Sequence, residues 1–149
     1  MNFLRQFKDY VNEGIIKRCS PDKSRANFLI NEAKLSFAGL KERIEKLGVK
    51  DCYANSLIKD SYDIVMELIR AKLLSEGYNS SGSYSHEAEV SYMRVLGFTE
   101  NEVLFMNELR YFRNGITYYG RILDKEYAEK VIKFLDKAYP KFAKMLGMR

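Results

Sequence analysis

The chain has 149 residues, of which 46% are hydrophobic, 13% aromatic and 30% charged. That is one domain with enough apolar mass for a real core, which excludes disorder as a description of the whole. Its formal charge of +5 implies a mild preference for anionic partners and is too small by itself to establish nucleic-acid binding.

Two prolines and nine glycines punctuate a strongly 3.6-periodic sequence. No stretch shows sustained period-2 alternation between hairpin turns, so the expectation is all-α: an antiparallel, up-and-down bundle of five to six helices forming a single domain over 1–149. A short first helix from Asn2 to about Glu13 is expected to bury Phe3, Phe7, Tyr10 and Val11. Ser20-Pro21-Asp22 then reads as an N-cap, a first-turn proline and a first-turn acid. It launches a long helix burying Ala26, Leu29, Ile30, Ala33, Phe37, Leu40, Ile44 and Leu47, with Gly48 as its stop.

Asp51 is expected to cap a third helix reaching about Glu76. Its Leu57, Ile58, Ile64, Val65, Leu68, Ile69 and Leu73 are too many for a narrow stripe, which marks it as the central element. Tyr78 to Ser85 has the composition of a flexible loop. A fourth helix starts at Ser85-His86-Glu87-Ala88-Glu89, runs to Leu96 and ends at Gly97. Thr99-Glu100-Asn101-Glu102 is a capping box that opens a fifth helix to about Ile122. Asp124 caps a sixth with Tyr127, Val131, Ile132, Leu135 and Tyr139 inward, until Pro140 forces a kink or a new segment.

The longest apolar runs, such as Gly14-Ile15-Ile16, fall far short of the roughly 20 residues that cross a bilayer. No membrane association is expected. Cys19 and Cys52 stand 33 residues apart with no second Cys or His at ligand spacing, so no metal is expected. The two thiols could form one disulfide, but the lack of a secretory leader favours a reducing, cytoplasmic address. There is no Gly-rich phosphate loop with its lysine, and no cofactor is expected.

The fifth helix carries the most informative pattern, Arg113-Asn114-Gly115-Ile116-Thr117-Tyr118-Tyr119. At about 100° per residue, Arg110, Arg113, Asn114, Thr117, Tyr118 and Arg121 fall within one arc roughly 140° wide. Phe105, Leu109, Phe112, Ile116, Tyr119 and Leu123 fall on the opposite, apolar arc. Three arginines beside an amide, a hydroxyl and a phenol suit a phosphate or a nucleotide. A solvated face of salt-bridged arginines is the alternative.

A helical bundle whose penultimate long helix carries Arg-Asn followed by aromatics resembles the HEPN domains of prokaryotes. The resemblance covers most of the chain: Asn55 to Tyr92 looks like that family's central helix, loop and following helix, and Glu108 to Gly120 looks like its motif helix. It implies a compact HEPN-like bundle that pairs as a homodimer, binds RNA or nucleotides, and in several branches acts as a metal-independent ribonuclease or as a toxin paired with a small nucleotidyltransferase. Arg113 and Asn114 match the motif. Where the family's His would follow, this chain has Tyr118, so any ribonuclease activity is expected to be weakened.

Metal-free RNA cleavage needs a base for the 2′-OH proton, an acid for the leaving oxygen and cations for the charge on phosphorus. Arg113 suits the last task. Asn114 either orients a phosphate or ribose, or bonds a neighbouring backbone or partner subunit. Tyr118 is a poor base, with about one part in a thousand ionised at pH 7; nearby arginines could lower its pKa, it could donate a proton or stack on a base, or it could be a core or interface tyrosine. His86, the sole histidine, sits beside the loop and reads either as a catalytic imidazole or as an exposed or capping residue.

Two further cation groups, Lys41, Arg43, Lys46 and Lys50, and Lys133, Lys137, Lys141 and Lys144, read as phosphate-facing patches or as solvated helix faces. In a homodimer with its motif helices near the two-fold axis, Arg113 and Asn114 of both subunits would flank one phosphate. A non-catalytic helical module that docks on a nucleotidyltransferase is the other reading.

Overall fold

The computed structural model describes residues 3–120 and 122–149, and within these the side chains of residues 118 and 119 are left aside. The expected all-α bundle is present. Its described elements are α1 (Phe7–Asn12), β1 (Ile16–Arg18), α2 (Lys23–Leu47), α3 (Asp51–Ser75), β2 (Tyr78–Ser80), α4 (Ser85–Val95), α5 (Glu100–Tyr119) and α6 (Lys125–Met145).

α3 is the hub. Ala54, Leu57, Ile58, Tyr62, Val65, Met66, Leu68, Ile69 and Leu73 point to several sides of it and all are buried, as a helix surrounded by others requires. α2, α4, α5 and α6 each pack on it. α2 and α3 form an antiparallel hairpin across Gly48, tied at one end by Asp22 N–H donating to Leu74 O at 2.9 Å and further along by the Arg43–Asp60 ion pair. α5 runs antiparallel to α3, since Asp63 faces Arg113 and the Asn55 side-chain oxygen accepts from Leu123 N at 2.9 Å.

Several expected boundaries move. Phe3 is 82% exposed, and Leu4 takes its place in the core. Asp22, not Ser20, caps α2, accepting from Arg25 N at 3.0 Å, which leaves Pro21 outside the helix. Asp51 opens α3 as its first residue and its carboxylate accepts from Lys125 N at 2.9 Å, joining the starts of α3 and α6. The Thr99–Glu102 capping box and the Asp124 cap are both formed. α6 passes through Pro140 as one helix.

On α2 only Ala26, Ala33 and Leu40 of the expected core stripe are buried; Leu29, Ile30, Phe37 and Ile44 are half-buried and Leu47 is exposed. α2 covers one side of the bundle, so a single narrow line of side chains meets α3. The larger correction is a two-strand antiparallel ribbon, in which Ile16 pairs with Ser80 and Arg18 with Tyr78. Part of the expected flexible loop is therefore a fixed wall. Gly77, at φ +86°, carries the chain into it, and its carbonyl accepts from Cys19 N at 2.8 Å. Both cysteines are free and exposed.

Among the described residues no helix is long and apolar enough to cross a membrane.

Candidate functional site

The polar arc of α5 does not face away from the core as expected. The buried positions of this helix include Val103, Met106, Asn107, Leu109 and Ile116, whereas Phe105 and Phe112 of the predicted apolar arc are only half-buried. The side chains of Arg110 and Arg113 are 14% and 22% exposed. They lie along the seam where α5 meets α3 and α4.

Arg113 turns into its own chain. Its Nη2 is 3.5 Å from Asp63 Oδ1, its guanidinium carbon stands 5.5 Å from the centre of the Tyr62 ring, and its Nε is buried with no hydrogen-bond partner among the described residues. This guanidinium, expected to emerge into a crevice, is instead held by Asp63 and Tyr62 of its own chain. Arg110 donates from Nε and Nη2 to the Asn107 side-chain oxygen at 3.1 and 2.9 Å, and its Nη2 lies 3.6 Å from Glu87 Oε1. The second contact is too long for a hydrogen bond and acts only through charge.

The start of α4 completes the seam. Glu87 accepts from the Tyr10 hydroxyl at 2.7 Å, and burial together with that carboxylate pushes the Tyr10 pKa up to about 12. Glu89, only 2% exposed, takes Arg70 from α3 at 2.7 Å. His86, just before these two acids in the chain, lines one cleft with Glu87 and another with Glu89.

His86 keeps an exposed ring, but the protein mass around it and the charges of Arg70, Arg113 and Arg110 hold its pKa below the ordinary value, against the pull of Glu89. Near neutral pH it is an uncharged imidazole able to accept a proton. Tyr62, beneath the same arginines, has its pKa raised by burial, and its hydroxyl has no hydrogen-bond partner among the described residues.

His86, Ser83, Ser85, Glu87, Arg110 and Asn114 line one cleft of about 400 Å³. The structure thus brings Asn114 and Arg110 of the predicted stripe together with the lone histidine, 28 residues from Asn114 in sequence. Thr117 is exposed and outside that cleft. The Tyr118 side chain and Arg121 lie outside the described residues, as does the side chain of Tyr119. α5 ends at Tyr119, short of the Ile122 expected, with Gly120 as a left-handed cap at φ 65°.

Arg70, Tyr62, Glu87 and Glu89 were not singled out by sequence. Glu87 and Glu89 read as ordinary first-turn acids, and Arg70 is the only arginine in the apolar run from Ile64 to Leu74, which is the signal that could have found it. The other cation groups are largely committed. Lys41 pairs with Asp136 at 2.8 Å, Arg43 with Asp60, Lys46 with Glu42 at 2.9 Å, and Lys141 with Glu102 at 2.9 Å. Lys50 sits over the Tyr53 ring, while Lys133, Lys137 and Lys144 are exposed.

Among the described residues no group of three or more His, Cys, Asp or Glu side chains is placed to hold a metal ion. Comparison with protein-family models, with curated proteins and with solved structures finds no match to this chain.

Proposed function

We propose that this chain is an RNA- or nucleotide-binding protein of the HEPN-like kind, with metal-independent ribonuclease activity centred on His86. One observation carries the reading: the sole imidazole, uncharged near neutrality, shares a cleft with Arg110 and Asn114 of the Arg-Asn helix. The base that Tyr118 supplies poorly is then supplied from another helix.

In the reaction, His86 takes the proton of a ribose 2′-OH, and the 2′-oxygen attacks the adjoining phosphorus. The bond from phosphorus to the 5′-oxygen breaks, leaving a 2′,3′-cyclic phosphate, and the departing oxygen takes its proton from water. Arg110, with Arg113 behind it, opposes the charge that gathers on the phosphate oxygens, and Asn114 orients the group by hydrogen bonds. The contacts of the two arginines to Glu87 and Asp63, at 3.6 and 3.5 Å, are loose enough for a phosphate to compete.

On this reading the protein is cytoplasmic, acts as a homodimer, and works in a toxin-antitoxin or defence setting. Single-stranded RNA incubated with the protein in EDTA tests it. Products ending in 2′,3′-cyclic phosphate, lost in His86→Ala and reduced in Asn114→Ala, are expected; no cleavage at enzyme concentrations near that of the substrate removes the ribonuclease reading.

A second reading, a non-catalytic module that docks on a nucleotidyltransferase, is favoured by the outer face of α2. There Phe28 and Leu35, seven residues apart, are 62% and 70% exposed. Co-purification with such a partner, lost in Leu35→Asp, would support it.

A further inference from the structure

Ser85 and His86 also belong to a second cleft, of about 370 Å³, on the α2 side of the α4 start. Its apolar lining is Leu29 of α2 and Tyr78 of β2, both half-buried, above Leu73 and Leu74 of α3, which are almost fully buried. At its back Arg70 and Glu89 neutralise one another at 2.7 Å.

The rim is different in character. Arg25, in the first turn of α2, is exposed and has no carboxylate partner among the described residues, because the nearby Asp22 carboxylate is engaged as the α2 cap. Lys17, Arg18 and Lys23 are likewise exposed, and the Arg18 guanidinium lies 5.5 Å from the centre of the Tyr78 ring. On β2, Ser80 lies on the same side of the strand as Tyr78 and offers a hydroxyl beside its ring, while Asn79 lies on the other side. An apolar side chain, an aromatic ring, one hydroxyl and an uncommitted guanidinium at the mouth match a heteroaromatic ring joined to a phosphate. The volume is near the lower end of the roughly 300–1,000 Å³ typical of small-molecule sites.

We infer that this second cleft is a nucleotide subsite, with the base on Leu29 and Tyr78, its edge bonded by Ser80, and its phosphate held by Arg25. The inference rests on the ribonuclease reading only for its wider role. Since His86 stands between the two clefts, the subsite would take the nucleotide next to the phosphate being cleaved.

The test is a titration of isotope-labelled protein with adenosine 5′-monophosphate, adenosine and inorganic phosphate, followed by amide resonances. The monophosphate is expected to shift Arg25, Leu73, Asn79 and Ser80 and to bind more tightly than adenosine or phosphate alone. Arg25→Ala, at an exposed position, should weaken the monophosphate by about tenfold and leave adenosine unchanged. Equal binding of adenosine and its monophosphate, shifts outside these residues, or no shifts at millimolar concentration would overturn the subsite. The two readings fail separately: His86-dependent RNA cleavage without monophosphate binding removes only the subsite, and monophosphate binding without any action on RNA removes only the ribonuclease.

Discussion

Arg70 Nε and Glu89 Oε2 lie 2.7 Å apart and clamp α4 to α3 one helical turn beyond His86. A second contact, Arg70 Nη2 to Glu89 Oε1 at 3.4 Å, fixes the plane of the guanidinium. Because Glu89 is 2% exposed and Arg70 about a third, the pair is desolvated on one side only. Glu89→Ala strips the buried partner and leaves an arginine that can still turn to water, so the expected cost is about 2 kcal/mol, below that of a fully buried pair. Urea denaturation of the two proteins measures it.

The same pair sets the charge seen by His86. As the only histidine, it gives a single imidazole signal in a proton NMR titration. Its midpoint should fall below the ordinary 6.5, rise in Arg70→Gln, which removes a cation, and fall further in Glu89→Gln, which removes an anion. Linkage gives the stability counterpart. With its folded pKa lowered, His86 binds a proton more readily in the unfolded chain, so stability is lost as pH falls from 6.5 through the folded value. Its ability to accept the 2′-OH proton should be lost over the same descent.

How much of this was visible beforehand follows from range. Helix starts are local, and the Thr99–Glu102 box and the Asp124 cap stand where their side chains put them. Three-residue strands carry no period that a sequence can display, so the ribbon of Ile16–Arg18 with Tyr78–Ser80 was hidden. Helix periodicity names an apolar arc but not how many neighbours cover it, which is why Phe28 and Leu35 are exposed on α2 while α3 is buried on several sides. The site fails to show for the same reason. Arg110 and Asn114 share one helix face, which sequence periodicity shows, but His86 reaches their cleft from α4 by tertiary packing.

Asp63 competes for Arg113. Burial raises the Asp63 pKa, partly countered by Arg113 itself, and its side chain remains about half exposed. Asp63→Asn should change stability by less than about 1 kcal/mol. If Arg113 reaches phosphate, the same substitution should tighten single-stranded RNA binding by about threefold, while Arg113→Ala weakens it by about tenfold. Fluorescence anisotropy at fixed salt reads both. Unchanged affinity in both variants would confine Arg113 to its contacts with Tyr62 and Asp63.

Gly77 is the backbone position on which the ribbon turns. At φ +86° a Cβ would sit 2.7 Å from the Cys19 carbonyl oxygen, a backbone atom that cannot swing aside, and Pro21 lies just beyond at 3.6 Å. Gly77→Ala therefore combines the left-handed penalty of about 1–2 kcal/mol with a clash that separates Cys19 from Gly77. Gly82→Ala is the matched control, since its φ of +91° carries the same kind of strain and nothing lies within 4 Å of the added methyl. Both variants should melt lower than the parent, with Gly77→Ala lower than Gly82→Ala by roughly 3–6 °C, equivalent to about 1–2 kcal/mol at this chain length. Because the clash falls at the entry to β2, Gly77→Ala should also displace the amide resonances of Tyr78, Asn79 and Ser80, and Gly82→Ala should not.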